Sequence, residues 1–115
     1  MKVYFAHPVT DYGTAQETAD IATLEGLGLE VVNPAGNEDN YKKYGMEFFL
    51  EMVDGCDALA FRPFVGGSIG AGVADEIIRA TVAGMPIIEL PADPIQRALN
   101  VVQTRRIIKS LSGKG

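Results

Sequence analysis

The sequence has few of the residues that bind metals or form disulfides. It contains one cysteine, Cys56, and one histidine, His7. A lone cysteine cannot close an internal disulfide, so the composition suits a reducing compartment. Because His, Cys and Asp residues do not cluster at metal-ligand spacing, we expect neither a bound metal nor a cofactor.

Positive charge and long apolar runs are also scarce. Ten Lys and Arg residues are outnumbered by 15 Asp and Glu residues, for a net charge of -5, which argues against bulk attraction to nucleic acid. No apolar run has the length that spans a bilayer, and the N-terminus lacks the layout of a signal peptide. We therefore expect a cytoplasmic protein without a nucleic-acid or membrane partner. Its 115 residues suffice for a single domain over 1–115.

Short β-prone runs alternate with segments of helical periodicity along the chain. We expect strands at 3–6, 29–32, 57–61 and 86–90. We expect a first helix that begins near Thr14 or Ala15 and is stopped by Gly26 and Gly28, and further helices at 44–54, 73–83 and from Pro94 onward, with Asp93 as the N-cap of the last. The polar stretch 35–44 is expected to be a loop that acts as a lid. This alternation predicts an α/β fold, a three-layer open parallel sheet of flavodoxin-like or Rossmann-like type with strand order 2-1-3-4.

A glycine-rich stretch, residues 66–72, joins the third strand to the third helix. Glycine lets a ligand approach the backbone closely, and the N–H groups of a helix start attract anions. We expect Glu76, near the first turn, to be held ionised there and to be able to attack an electrophilic carbon. The alternative is an acid that only complements the helix dipole. In the predicted sheet, this stretch lies at the point where the strand order reverses, which is where open α/β sheets bind ligands.

Several short motifs occur in order along most of the chain. They are Tyr4-Phe5-Ala6, Asn33-Pro34, Asp57-Ala58-Leu59, and Gly72-Val73-Ala74-Asp75-Glu76-Ile77 followed by Ala80, Gly84 and Pro86. Together they resemble the nucleoside 2-deoxyribosyltransferase family and its relatives that hydrolyse nucleoside monophosphates. The resemblance implies that Glu76 is the nucleophile and that Tyr4 orients it. Glu76 would attack the anomeric carbon of a ribosyl or deoxyribosyl group, and water or a second base would resolve the glycosyl-enzyme, as in retaining glycosidases.

The candidate substrate-binding residues surround this predicted crevice. In a nucleoside or nucleotide complex, His7 would donate to the base or bind a phosphate, and Ser68 would donate its hydroxyl to a phosphate. Each has a structural alternative, since His7 can satisfy a loop carbonyl and Ser68 can be a turn residue. The full set of substrate-binding candidates is His7, Asp11, Gly13, Arg62, Ser68, Gly70 and Gly72.

Two positions depart from the family pattern. Gly70 stands where the family often has Asp or Ser, and Phe49 stands where it often has an Asp that binds or protonates the base. A non-catalytic nucleotide-binding module is therefore an alternative function. A phosphoribohydrolase of the glycine-loop type, similar to the cytokinin-activating enzymes, is another.

The last predicted helix has an interrupted apolar stripe. Arg105 and Arg106 break it, and Ile107, Ile108 and Leu111 are left over beyond the break. We expect these residues to contribute to a homo-oligomer, a dimer or higher.

Overall fold

The computed structural model describes residues 1–91 and 101–111 of the chain. The elements, in chain order, are β1 (Lys2–Ala6), a 3-10 turn (Val9–Asp11), α1 (Ala15–Gly26), β2 (Glu30–Val32), α2 (Glu38–Tyr44), α3 (Met46–Asp54), β3 (Ala58–Phe61), α4 (Ala71–Val82), β4 (Ile87–Glu89) and α5 (Val101–Leu111). The predicted start of the last helix at Asp93 and Pro94 lies outside the described residues.

The four strands form one parallel sheet in the order β2-β1-β3-β4. Tyr4 of β1 lies opposite Val32 of β2 on one side and Leu59 of β3 on the other. The predicted α/β class and the strand order are both confirmed. The chain adds β2 on one side of β1 and then adds β3 and β4 on the other side, so the strand order reverses between β1 and β3. The carboxyl ends of these two strands define the ligand crevice of this topology.

Both faces of the sheet are covered, and its inner strands are accordingly buried and mostly apolar from Val3 to Ala6 and from Ala58 to Phe61. Val3 and Phe5 of β1 belong to one core with Leu24 of α1. Tyr4 and Ala6 point the other way, into a core formed with α3 and α4. This alternation has the period of two that strand geometry imposes, and it places Tyr4 on the face that carries α4.

Residues 35–44, predicted to be a loop, contain a helix instead. The sequence of α2 suits a helix: Glu38 and Asp39 lie in its first turn, and Lys42 and Lys43 lie in its last turn. Both pairs complement the helix dipole. The loop was predicted because this stretch has no apolar periodicity. The periodicity is missing because α2 has no buried residue.

A buried ion pair fixes the end of β3 to α1. The Arg62 guanidinium donates to both carboxylate oxygens of Asp20, at 2.8 Å for its Nη2 atom, and Nη1 donates to the Pro91 carbonyl at 2.8 Å. Gln16 also donates to Asp20, at 2.9 Å. Three segments, α1, the end of β3 and the exit of β4, are therefore joined through one guanidinium.

No helix within the described ranges combines the length and apolar character needed to cross a membrane. Of the three residues expected to contribute to an oligomer, Ile108 is the one whose side chain is described, and it is exposed. The homo-oligomer stays a prediction.

We expect Asp20→Ala to lower the free energy of unfolding by about 3 kcal/mol, because it leaves a largely buried guanidinium without its carboxylate partner. Asp54→Ala is the matched control, since it removes a two-bond partner from Arg79 at the surface. The side chains of Arg62 and Asp20 are 11% and 5% exposed, against 38% and 43% for Arg79 and Asp54. The control should cost much less, because water screens an exposed ion pair. Equal losses in urea denaturation would contradict the prediction.

Candidate active site

The loop between β3 and α4 turns on two adjacent glycines. Gly66 and Gly67 have φ of 92° and 94°, a left-handed region that other residues rarely adopt. The loop closes on itself where the Phe64 N–H donates to the Ser68 carbonyl at 2.8 Å. It then passes under the Phe64 ring, since a Cβ on Gly70 would lie 3.2 Å from that ring. The loop therefore holds an aromatic side chain directly above the start of α4.

Glu76 lies in the second turn of α4 and not in the first, because the helix begins at Ala71. Its side chain points into the core, and the residue is 6% exposed. The Tyr4 hydroxyl donates to its Oε2 atom. A carboxylate and a phenol that are 72 positions apart in the sequence thus form one buried unit between α4 and β1.

Burial raises the pKa of Glu76 to about 7, although the hydrogen bond from Tyr4 opposes the rise. The expectation that the helix start holds this carboxyl ionised is wrong. The second turn is beyond the reach of the terminal N–H groups, whereas desolvation acts on the carboxylate directly. Glu76 is consequently poised to gain or lose a proton near neutral pH.

The Tyr4 hydroxyl keeps its proton at neutral pH and well above it. Burial and the adjacent Glu76 carboxylate raise its pKa well above the usual range. Its hydroxyl is therefore a permanent donor to Glu76. It fixes one carboxylate oxygen and leaves the other oxygen without a hydrogen-bond partner among the described residues.

A cavity of about 610 Å³ opens beside Glu76, at the carboxyl ends of β1 and β3. This volume lies in the range of small-ligand pockets, and the position is the crevice that the strand order defines. The wall is mainly aromatic. The rings that line it belong to Tyr4, His7, Tyr12, Tyr41, Phe49 and Phe64.

The loop after β1 forms one wall of the cavity and is held by a buried pair. His7 Nδ1 lies 2.8 Å from the Phe5 carbonyl oxygen, and Nε2 lies 2.7 Å from Glu17 Oε2. The Gly13 N–H donates to the other Glu17 oxygen at 3.1 Å. Burial by itself raises the pKa of Glu17, but the hydrogen bonds from His7 and Gly13 outweigh it and lower the pKa.

These partners occupy both nitrogens of the His7 ring, one with the Phe5 carbonyl and the other with the Glu17 carboxyl. His7 also stacks on Phe5, with ring centroids 3.9 Å apart. The ring is therefore a structural part of the wall with no free nitrogen for a ligand.

The remaining charged groups of the cavity come from α2. Glu38 and Lys42 both line it, four residues apart on one helix face. Tyr12 adds a hydroxyl whose pKa is raised to about 12 by burial and by the carboxylates of Glu76, Glu38 and Glu17. Among the described residues no cation lies within ion-pair distance of Glu76.

The structure brings together five of the nine predicted site residues. Tyr4, His7, Gly70, Gly72 and Glu76 line the cavity, and the other four do not. Arg62 is engaged by Asp20 and Pro91, Gly13 supports Glu17 through its N–H group, Ser68 is an exposed turn residue, and the Asp11 carbonyl accepts from Thr14.

Sequence reasoning missed the contribution of α2. Tyr41 and Lys42 lie on the segment that was expected to be a loop. The acids followed four residues later by lysines were the available signal for a helix, because such pairs stabilise one turn upon the next. Phe64, which follows β3, was also missed, and an apolar residue next to a glycine loop carries no signal of its own.

No family model matches the sequence, and no curated protein matches it significantly. The likeness to the 2-deoxyribosyltransferase family consequently stays a resemblance carried by the motifs.

We expect the Glu76→Gln variant to be more stable than the natural sequence at about pH 8, and close to it at about pH 4. In the unfolded chain this carboxyl ionises near its ordinary pKa of 4.5, whereas in the folded protein it keeps its proton up to about 7. The natural protein therefore loses stability as the pH rises through this window, by roughly 3 kcal/mol.

Thermal unfolding at both pH values measures this difference. Glu51→Gln is the control, because Glu51 is an exposed α3 residue outside the cavity. A stability gain in Glu76→Gln that is the same at both pH values would count against the assigned direction of the Glu76 pKa.

Proposed function

We propose that this protein cleaves or transfers the N-glycosidic bond of a (deoxy)nucleoside or nucleoside monophosphate, with Glu76 as the nucleophile. The observation that carries the proposal is the buried Glu76 carboxyl, bonded to the Tyr4 hydroxyl at the wall of a cavity large enough for a nucleoside. The resemblance to the 2-deoxyribosyltransferase family assigns the same two residues to the same roles.

The geometry suits attack by one oxygen of the carboxylate. Tyr4 holds Oε2, so the second oxygen is the one available to an anomeric carbon in the cavity. Attack forms a C1′–O bond as the C1′–N bond breaks, and the electron pair of the broken bond leaves with the base. Water or a second base then attacks C1′ and returns the electron pair to Glu76.

Tyr4 acts through Glu76 and does not need to touch the substrate. Because its pKa is raised far above neutrality, it remains a donor through both steps. It stabilises the carboxylate as nucleophile and again as leaving group, and it restricts rotation of the side chain. Fixing the attacking oxygen in this way lowers the entropic barrier of the first step.

The cost of burying Glu76 favours an enzyme over a binding module. A carboxyl whose charged form is disfavoured by burial lowers the stability of the fold at neutral pH. A module that only binds nucleotides has no need of such a group, whereas a nucleophile shielded from water does. The raised pKa of Glu76 is therefore easier to account for by chemistry than by recognition.

We expect Glu76→Gln to lose N-glycosidic cleavage by at least about a thousandfold, because the amide cannot act as a nucleophile. Free base released from mixed nucleosides and nucleoside monophosphates is measured by chromatography. Glu51→Gln should retain full activity, since Glu51 is exposed and lies outside the cavity. Full activity in Glu76→Gln ends the proposal, as does ligand binding without turnover by the natural protein.

We also expect kcat/KM to rise with pH and to level off above about 7, where Glu76 is ionised. The protonated acid is not a nucleophile, so the rate at about pH 5 should be roughly a hundredfold below the plateau. A profile that is flat, or that falls with pH across this range, would assign the essential ionisation to another group.

A further inference from the structure

The two buried hydrogen-bonding side chains of the cavity wall beside Glu76, His7 and Tyr4, are not available to protonate a leaving base. A neutral purine or pyrimidine departs with the electron pair of the C–N bond and must gain a proton to leave as a stable base. The two ring nitrogens of His7 are engaged by Phe5 and Glu17. The Tyr4 hydroxyl is engaged by Glu76.

The other ionisable groups that line the cavity do not fill this role. Tyr12, with a pKa raised to about 12, is a poor acid at neutral pH. Glu38, in the first turn of α2, and Lys42, in its last turn, are exposed. Tyr41, which is half exposed, is the remaining titratable side chain of the lining besides Glu76 among the described residues.

The walls are nevertheless rich in surfaces that attract a cation. Tyr12, Tyr41, Phe49 and Phe64 present rings to the cavity, and the rings of Tyr41 and Phe49 lie 5.9 Å apart at a tilt of 35°. Aromatic faces attract cations, more strongly when water is excluded. The apolar rings also fit the flat body of a heteroaromatic base.

The charge of the lining points the same way. His7 lies 2.7 Å from the Glu17 carboxyl, and the formal charges of Lys42 and Glu38, one helical turn apart, cancel. Ionised Glu76 then leaves the lining with a net negative charge. A positive ring beside Glu76 would lower the pKa of its carboxyl and favour the nucleophilic form, whereas a neutral ring would not.

We infer that the substrate is an N-glycoside whose base carries a positive charge in the bound state, such as a glycosyl pyridinium or an N-alkylated purine. This inference rests on the proposed function and names its substrate class. The rings that line the cavity hold the charged base, and Glu76 attacks the sugar to which the base is bonded.

The chemistry balances without an acid. As the Glu76 oxygen bonds to C1′, the C1′–N bond breaks and its electron pair neutralises the positive ring nitrogen, so the base leaves uncharged. Water then attacks C1′, and the bond to Glu76 breaks with its electron pair returning to the carboxylate. The proton lost by water goes to solvent. Each cationic substrate hydrolysed therefore releases one proton, whereas a neutral nucleoside releases none because its base takes that proton.

Two substrate pairs that differ mainly in charge test the inference. One is nicotinamide riboside against its reduced dihydro form, and the other is 7-methylguanosine against guanosine. Base release by the natural protein is divided by the spontaneous rate of the same compound in the same buffer. We expect the cationic member of each pair to show an enhancement at least about tenfold greater, the size of a desolvated cation–π contribution.

The outcomes separate this inference from the proposed function. Cleavage of the neutral members with equal or greater enhancement, lost in Glu76→Gln, overturns the charge preference and leaves the nucleophile standing. Cleavage that survives in Glu76→Gln, or no cleavage of any compound, overturns both. A cationic preference that is lost in Glu76→Gln, together with one proton released per base, supports both.

A ring substitution with a matched control tests where the preference arises. Phe49→Leu removes an aromatic face from the cavity, and Phe48→Leu removes the neighbouring ring, which lies in a separate cleft with Tyr44. The ratio of cationic to neutral enhancement should fall several-fold in Phe49→Leu and stay unchanged in Phe48→Leu. An equal ratio in both variants contradicts the role given to the rings that line the cavity.

Discussion

The hydrogen bond between the Tyr4 hydroxyl and the Glu76 carboxyl is the contact on which the site depends. It joins the central strand of the sheet to α4, and both partners are buried. Tyr4 lies on β1, one of the two strands between which the strand order reverses, and helix periodicity turns Glu76 toward it. Burial raises the pKa of this carboxyl to about 7. The contact that completes the core therefore also holds a group that exchanges a proton near neutral pH.

The two faces of the sheet differ in the kinds of contacts that they make. On the α1 face, Arg62 and Asp20 form a shielded pair that connects three segments. On the other face, α3 and α4 supply the core around Tyr4, and the cavity opens at their edge. The His7–Glu17 pair lies at the junction, where it secures the loop that closes one side of the cavity. These two buried pairs hold α1 and the loop after β1 against the sheet, while the walls of the cavity are mainly aromatic.

The fold was largely predictable because its signals are local. Alternating apolar runs and glycine stops predict the strands, and the right-handed crossovers that a βα alternation requires leave few strand orders to choose from. The protonation behaviour of Glu76 was not predictable, since it depends on how deeply a second-turn side chain is buried. Arg62 and Ser68 follow β3 in the sequence and were therefore predicted to line the crevice. In the structure Arg62 is bonded to the buried Asp20 carboxylate, and Ser68 is exposed to solvent. The helix α2 was missed because a solvent-exposed helix has no apolar stripe, which left the spacing of its acids and lysines as the signal for it.

The exposure of α2 has an evolutionary consequence. This segment supplies Glu38, Tyr41 and Lys42 to the cavity, yet none of its residues is buried. Exchanges on such a surface seldom change folding free energy by more than a fraction of a kcal/mol, roughly 0.5 kcal/mol at most. Substitutions along α2 can therefore change the shape and charge of the cavity wall while the sheet and the Tyr4–Glu76 contact stay intact, so this wall can vary without compensatory stabilising changes elsewhere in the fold.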